Sequence, residues 1–538
     1  MPEIKTQPPF LSGNFEYQIT LRKMQKWLRD KRPYLRRCQI RLNCDMKRLI
    51  ILITSFLFFT ISCKSPNGNE QEKTNSEWEG FIKVDDIDLK LIFNLGIDKC
   101  WLDIPAQGFE DYPSHEYKIT DDSVNITFSW MIESTFSGKR QADTLIIGKW
   151  VQSGKTYPLS LKKKKKYIRH QNPQPPFPYK IENVSFFNQD KSIQFGGTLT
   201  IPKKGDKHPV AILITGSGQQ DRDETIFGHK PFLIIADYLT RHGIAVLRVD
   251  DRGVGKTTGK ETLTHATSYD HALDVVAEIQ YLKSRKEINP LKIGLIGHSE
   301  GGLIASIVGA KTKDLAFIVS MAGVGVQGKQ LALSQIETNL KRSNPHTTID
   351  SILAFEKNAM QIILEEPNYR LAEVTILQKL SGEWLFRQDS LTQKYFGAEM
   401  KDGMQIIRHK ESSKRYKRLM IPWYKYFLAY SPDSVCSRIN APFLAINGEK
   451  DTQVLADLNL NGLKNIFDKC GKTNYKIIRY PGLNHFFQHC ESGYLEEVEI
   501  IEETISPEVL ADMTNWIKEQ IKKENNTPSS NRGHLAVS

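Results

Sequence analysis

The sequence predicts an α/β fold: a parallel sheet covered by helices on both faces, carrying a helical insertion and preceded by a small all-β domain. Three observations carry this. Short apolar runs at 210–214, 244–249, 293–296, 316–320, 443–446 and 476–478 alternate, for the most part, with helical segments at 232–241, 272–284 and 303–310. That is the pattern of strands buried on both faces and joined by helices. From 327 to 435 the strand rhythm stops, and a stretch rich in Lys, Glu, Gln and Leu with helical spacing separates the fourth run from the fifth. From 78 to 165 apolar residues alternate instead, as in Leu89, Leu91 and Phe93 or Val124, Ile126 and Phe128, with Gly, Asp-Asp and Pro between the runs. Alternation of that kind marks an antiparallel sheet.

The boundaries follow from composition. The lysine run 162–166 and the Pro-rich stretch 171–178 predict a linker over 166–180. The larger sheet is then expected from 181–326 and 436–525, with 327–435 as a cap inserted between its strands. Ser506-Pro507-Glu508 reads as an N-cap followed by Pro at the first helical position, ahead of an apolar face of Val509, Met513, Trp516 and Ile517. The polar tail 526–538 is expected to be disordered.

The net charge of +11 has little to do with this body. Residues 1–45 hold ten Lys and Arg against four Asp and Glu, and Lys47 and Arg48 add two, so the remainder carries +3. Such a balance implies no nucleic-acid partner. Met46-Lys47-Arg48 followed by the apolar run 49–61 suits a signal peptide over 46–62, with 1–45 as an upstream extension. A core helix or a plain transmembrane anchor is the competing reading. The run ends in Thr60-Ile61-Ser62-Cys63, which resembles a bacterial lipoprotein box with Thr60 in place of the usual Leu. That resemblance implies lipidation of Cys63, a tether over 63–77 and anchoring in the cell envelope. The body's cysteines, Cys100, Cys436, Cys470 and Cys490, have no metal-ligand spacing. Cys470 and Cys490 could pair in an exported protein; free thiols are the simpler alternative.

The chemistry centres on Gly297-His298-Ser299-Glu300-Gly301, between the strand 293–296 and the helix 303–310. A strand that turns sharply into a helix presents the residue at the apex, and side chains two positions either side would collide, hence the glycines. Ser299 is the expected nucleophile. A serine hydroxyl needs a base, and the base an orienting acid. Asp451 follows the strand 443–446 through Asn447-Gly448-Glu449-Lys450, and His485 follows the strand 476–478 through Tyr480-Pro481-Gly482-Leu483-Asn484. Both fall on loops past the C-terminal ends of strands. Glu449 and His489 are their nearest rivals. His298 lies inside the elbow, away from the base position. An oxyanion requires two N–H donors; Glu300 supplies one, and Ser217 in Thr215-Gly216-Ser217-Gly218 the other. Gly253-Val254-Gly255-Lys256-Thr257 imitates a phosphate-binding loop, but Asp250 stands where that motif needs Gly.

Together these residues resemble bacterial carboxylesterases of the α/β-hydrolase superfamily, near the acyl-CoA thioester hydrolases and serine aminopeptidases. The resemblance covers about 78–525 and rests on Gly216-Ser217-Gly218-Gln219-Gln220-Asp221-Arg222-Asp223-Glu224, Asp250-Asp251-Arg252-Gly253-Val254-Gly255, Pro422-Trp423-Tyr424-Lys425-Tyr426-Phe427-Leu428, Asn447-Gly448-Glu449-Lys450-Asp451-Thr452-Gln453-Val454 and Leu483-Asn484-His485. Thr215 stands where many relatives have His. The resemblance implies an α/β-hydrolase sheet with an inserted helical cap, a Ser299–Asp451–His485 triad, and hydrolysis of a small-molecule ester through an acyl-enzyme, with no metal or cofactor. Thioesters and small peptides are alternative substrates of the same residues. A non-catalytic, lipid-anchored binding protein on this scaffold is the alternative of another class.

Overall fold

A computed structural model describes residues 76–525, apart from 85–86, 97–98, 105–108, 130–132, 166, 381, 402–403 and 408. The upstream extension, the apolar run, Cys63, most of the tether and the tail 526–538 lie outside the described residues. Among the described residues no helix is long and apolar enough to cross a membrane. The chain divides into two compact units, Met1–Lys164 and Lys165–Ser538.

The first unit is one antiparallel meander: β1 (Ser76–Val84), β2 (Ile87–Leu95), β3 (Cys100–Ile104), β4 (Phe109–Pro113), β5 (Glu116–Ile119), β6 (Ser123–Phe128), β7 (Ser134–Ala142), β8 (Leu145–Gln152) and β9 (Lys155–Lys163). The sheet order is β4-β3-β2-β1-β9-β8-β7-β6-β5. Its two end strands are consecutive in the chain, joined through Ser114-His115. Ser114 N–H donates to the Cys100 carbonyl and His115 N–H to that of Thr127. The sheet therefore curls until its edges meet in one stretch of chain. Alternate residues fill the inside: Phe93, Phe128, Phe136 and Trp150 are fully buried, with Phe93 and Phe136 ring centroids 5.2 Å apart. Ser153 and Gly154, both at positive φ, make the tight β8–β9 turn.

The second unit is built on an eight-stranded sheet. Its strands are β10 (Tyr179–Phe187), β11 (Gln194–Pro202), β12 (His208–Ile214), β13 (Ala245–Val249), β14 (Ile288–His298), β15 (Phe317–Met321), β18 (Phe443–Gly448) and β19 (Tyr475–Tyr480), in the order β10-β11-β13-β12-β14-β15-β18-β19. The last six are parallel; β10 and β11 join antiparallel. Side-chain alternation sorts the core into two layers. Val210, Ile212 and Ile214 pack with α2 (Ser268–Lys283) and α3 (Glu300–Lys311). Ala211 and Leu213 pack with α1 (Pro231–Arg241) on the other face. The insertion supplies α4 (Gly328–Ser343), α5 (Asp350–Glu365), α6 (Tyr369–Lys379), α7 (Gly382–Leu385), α8 (Ser390–Tyr395), α9 (His409–Leu419), α10 (Pro422–Ala429) and α11 (Pro432–Cys436). The chain closes with α12 (Ala456–Lys469) on the α2–α3 face, α13 (Leu495–Val498), and α14 (Pro507–Asn525) beside α1.

Two details depart from the sequence reading. The linker ends earlier than expected, because β10 already begins at Tyr179. The insertion is not wholly helical, since β16 (Ala398–Lys401) and β17 (Met404–Ile407) form a hairpin within it. Cys470 and Cys490 are free thiols, the simpler of the two readings.

Candidate active site

Ser299 stands at the turn between β14 and α3 with φ 54° and ψ −117°, a region that non-glycine residues rarely occupy. Two observations explain how the chain holds it. Ser299 N–H donates to the Met321 carbonyl of β15 (2.8 Å), tying the apex to the neighbouring strand. The flanking glycines leave room for the backbone alone: a Cβ on Gly297 would lie 2.0 Å from the Gly301 carbonyl oxygen, and one on Gly301 2.1 Å from that of Ile214. Strand and helix thus pack at a separation that only glycine permits. Ser299 itself is partly exposed.

Asp451 and His485 meet at the C-terminal edge of the same sheet. His485 Nδ1 lies 2.7 Å from Asp451 Oδ2, with both side chains buried. The other Asp451 oxygen accepts the N–H groups of Gln453 and Val454, each at 2.8 Å, so the carboxylate is fixed by its own loop. Asn484 shapes the histidine loop by accepting the N–H groups of Phe486 (2.9 Å) and Gln488 (3.0 Å). The rivals sit elsewhere. His489 is exposed beside Glu503 (2.8 Å), and Glu449 pairs with Arg479 (3.2 Å).

The loop after β12 reaches Ser299. A Cβ on Gly216 would stand 3.2 Å from the Ser299 Cβ. Gly216 N–H is already taken by Glu224 Oε1 (2.8 Å), whereas among the described residues no acceptor faces the Ser217 N–H. Glu300 opens α3, where first-turn N–H groups have no intrahelical acceptor. Its carboxylate accepts the Ser268 hydroxyl (2.7 Å) and the Trp423 indole N–H (2.8 Å). Thr215 donates to Asp251 (2.8 Å), which sets the mouth of this loop against the loop after β13.

Two residues had no role in the sequence reading. Glu224 accepts from Gly216 and also lies 2.9 Å from His298 Nδ1, while His298 Nε2 is 3.0 Å from the His485 carbonyl. A carbonyl accepts and a carboxylate accepts, so both His298 nitrogens are placed to donate, which favours the cationic ring. Burial works to lower the His298 pKa, but the Glu224 charge and these hydrogen bonds win and raise it. A buried ion pair therefore joins three segments: the loop after β12, the elbow and the histidine loop. The sequence hint was His298 beside the serine; its partner lies 74 residues away.

Residues 231–395 match the family model described as serine aminopeptidase, S33. Esterase EstD of Thermotoga maritima is 24% identical over 340 residues, spanning 63% of this chain and 69% of that protein. Among solved structures, Est1E from Butyrivibrio proteoclasticus with bound ferulic acid is 16% identical, covering 63% of this chain and 99% of its own, with a TM-score of 0.35. The α/β hydrolase GrgF from Penicillium sp. sh18 is 17% identical, covering 64% and 99%, with a TM-score of 0.37. With the sheet order and the strand–serine–helix turn on the page, the fold is that of the α/β hydrolases, and the sequence is esterase-like.

Proposed function

We propose that this chain is a serine hydrolase that cleaves carboxylic esters through an acyl-enzyme. The observation that carries the reading is the buried His485–Asp451 pair at 2.7 Å, tied by a 3.0 Å hydrogen bond to the residue next to Ser299. In this reading Ser299 attacks the ester carbonyl and His485 takes its proton, then returns it to the leaving alcohol. Asp451 keeps the proton on Nδ1 and stabilises the imidazolium. The Ser217 and Glu300 N–H groups hold the oxyanion. Water, deprotonated by His485, then releases the acid. Thioesters and aminoacyl amides are the other substrates this machinery could take. We further propose that Cys63 carries a lipid that anchors the chain in the cell envelope.

A fluorophosphonate probe tests the nucleophile: wild type is expected to label and Ser299→Ala not to, and equal labelling of both would sink the assignment. A panel of esters, thioesters and amides orders the substrate classes. The N-terminal mass of the mature protein tests the anchor; a chain that still begins at Met1 would refute it.

A further inference from the structure

Beside the loop after β12 lies a cavity of about 490 Å³, whose wall includes Ser217 and Glu300 and extends along α2. The proposed chemistry uses only the Ser217 and Glu300 part. Much of the lining is apolar, with Val275, Ile304, Ile421 and Trp423, yet five carboxyl groups line it too: Asp250, Asp251, Asp274, Glu278 and Glu300. Four of these have partners. Asp250 is held by Arg222 Nε (2.9 Å). Asp274 is held by both Arg252 Nε (2.6 Å) and Nη2 (2.7 Å). Asp251 accepts Thr215 and the Gln220 N–H (2.9 Å), and Glu300 is bonded by Ser268 and Trp423. Glu278 differs: it is 6% exposed, and its buried Oε2 has no hydrogen-bond partner among the described residues.

We propose that this cavity is a subsite for a primary ammonium group on the ligand, with Glu278 as its anionic partner and Trp423 as its aromatic wall. A buried carboxyl oxygen without a partner costs free energy that a bound donor recovers. Burial first, and then the charges of Asp274 and Asp251, push the Glu278 pKa well up, which favours its protonated form. The negative potential that retains that proton equally favours a compact cation. Binding R–NH₃⁺ ionises Glu278 and releases its proton to solvent, so charge balances. Arg252 is already spent on Asp274, and His271, 3.7 Å from the same carboxylate, is drawn to it as well. Trp423 offers a ring to the cation. Among the described residues no group of three or more His, Cys, Asp or Glu side chains is set to hold a metal ion, and the apolar lining suits the alkyl part of an amine. As a statement about substrate, an amino-bearing ester, the inference rests on the esterase reading; as a statement about binding it does not.

Calorimetry separates the two. n-Hexylammonium and its neutral counterpart hexanol are titrated into the full chain near neutral pH, in two buffers of different ionisation enthalpy. The amine is expected to bind more than about tenfold tighter than the alcohol, with release of about one proton, and Glu278→Gln to lose both the margin and the proton. Equal affinities, no amine binding, or a preference that survives Glu278→Gln overturns the subsite. Should that variant not fold, the wild type decides alone, because amine binding without proton release also overturns it. p-Nitrophenyl esters of ε-aminocaproate and heptanoate complete the design. Amine binding without hydrolysis of either ester sinks the esterase reading and leaves the subsite. Equal hydrolysis of both, without amine binding, does the reverse.

Discussion

The two units of this chain bury opposite things. Inside the meander the core is Trp78, Leu91, Phe93, Phe128, Phe136, Trp150 and their apolar neighbours, and among the described residues Ser134 is its buried polar side chain. The second unit buries Glu224, Arg248, Asp250, His298, Glu300, Asp451 and His485, all near the C-terminal edge of its parallel sheet. An apolar core gains from burial alone, whereas a buried charge costs free energy unless it is paired. The second unit pairs these charges, and that pairing also fixes Asp451 and His485 in position.

Substitutions can break or sharpen this contrast. The largest effect is expected at the acid: Asp451→Asn should cut kcat on the order of 10⁴-fold by leaving His485 in the wrong tautomer, read by steady-state kinetics on a p-nitrophenyl ester. In the meander, Phe93→Ala removes an aromatic from a closed apolar core and should cost about 3–5 kcal/mol, read by hydrogen exchange of the meander's amides, whereas an unchanged exchange pattern would deny that this core holds the unit. Gly301→Ala forces a methyl onto the Ile214 carbonyl and should cost about 3 kcal/mol, read from the denaturation midpoint together with loss of probe labelling. Glu224→Gln leaves His298 buried without an anion. Roughly a 10- to 100-fold fall in kcat/KM is expected, with His485 and Asp451 untouched.

The smallest effect concerns pH. Burial, against the hydrogen bonds from Thr215 and Gln220, pushes Asp251 up to about 7. A raised folded-state pKa favours the native state most at low pH, below the unfolded value, and that benefit is lost as pH rises from about 4 to 7. Asp251→Asn should therefore flatten the dependence of stability on pH across that window, measured by denaturant titration at several pH values; an unchanged slope would argue against a neutral Asp251.

Much of this architecture can be read from periodicity and order. The parallel strands stand out because each is a short apolar run buried on both faces, as Ala245–Val249 shows. The elbow is legible because its two glycines and its serine fall within five consecutive residues. β10 and β11 are harder to see: Tyr179–Phe187 mixes Lys, Glu, Asn and Ser into its alternation directly after a Pro-rich stretch. The hairpin within the insertion is only four residues on each side, too short to show a period. Glu224 and Glu278 are illegible for a different reason. Nothing local marks a glutamate whose partners, or lack of them, are decided by residues dozens of positions away.

The meander's curled sheet has one more consequence. Because β4 and β5 are successive pieces of one stretch, the sheet ends only in segments of five and four residues. Long open edges are the templates on which foreign strands assemble into aggregates and fibrils. This unit offers a passing chain very little ladder to extend, and β5 places Glu116 and Lys118 in what there is. It is a module that can be crowded against copies of itself without being built upon.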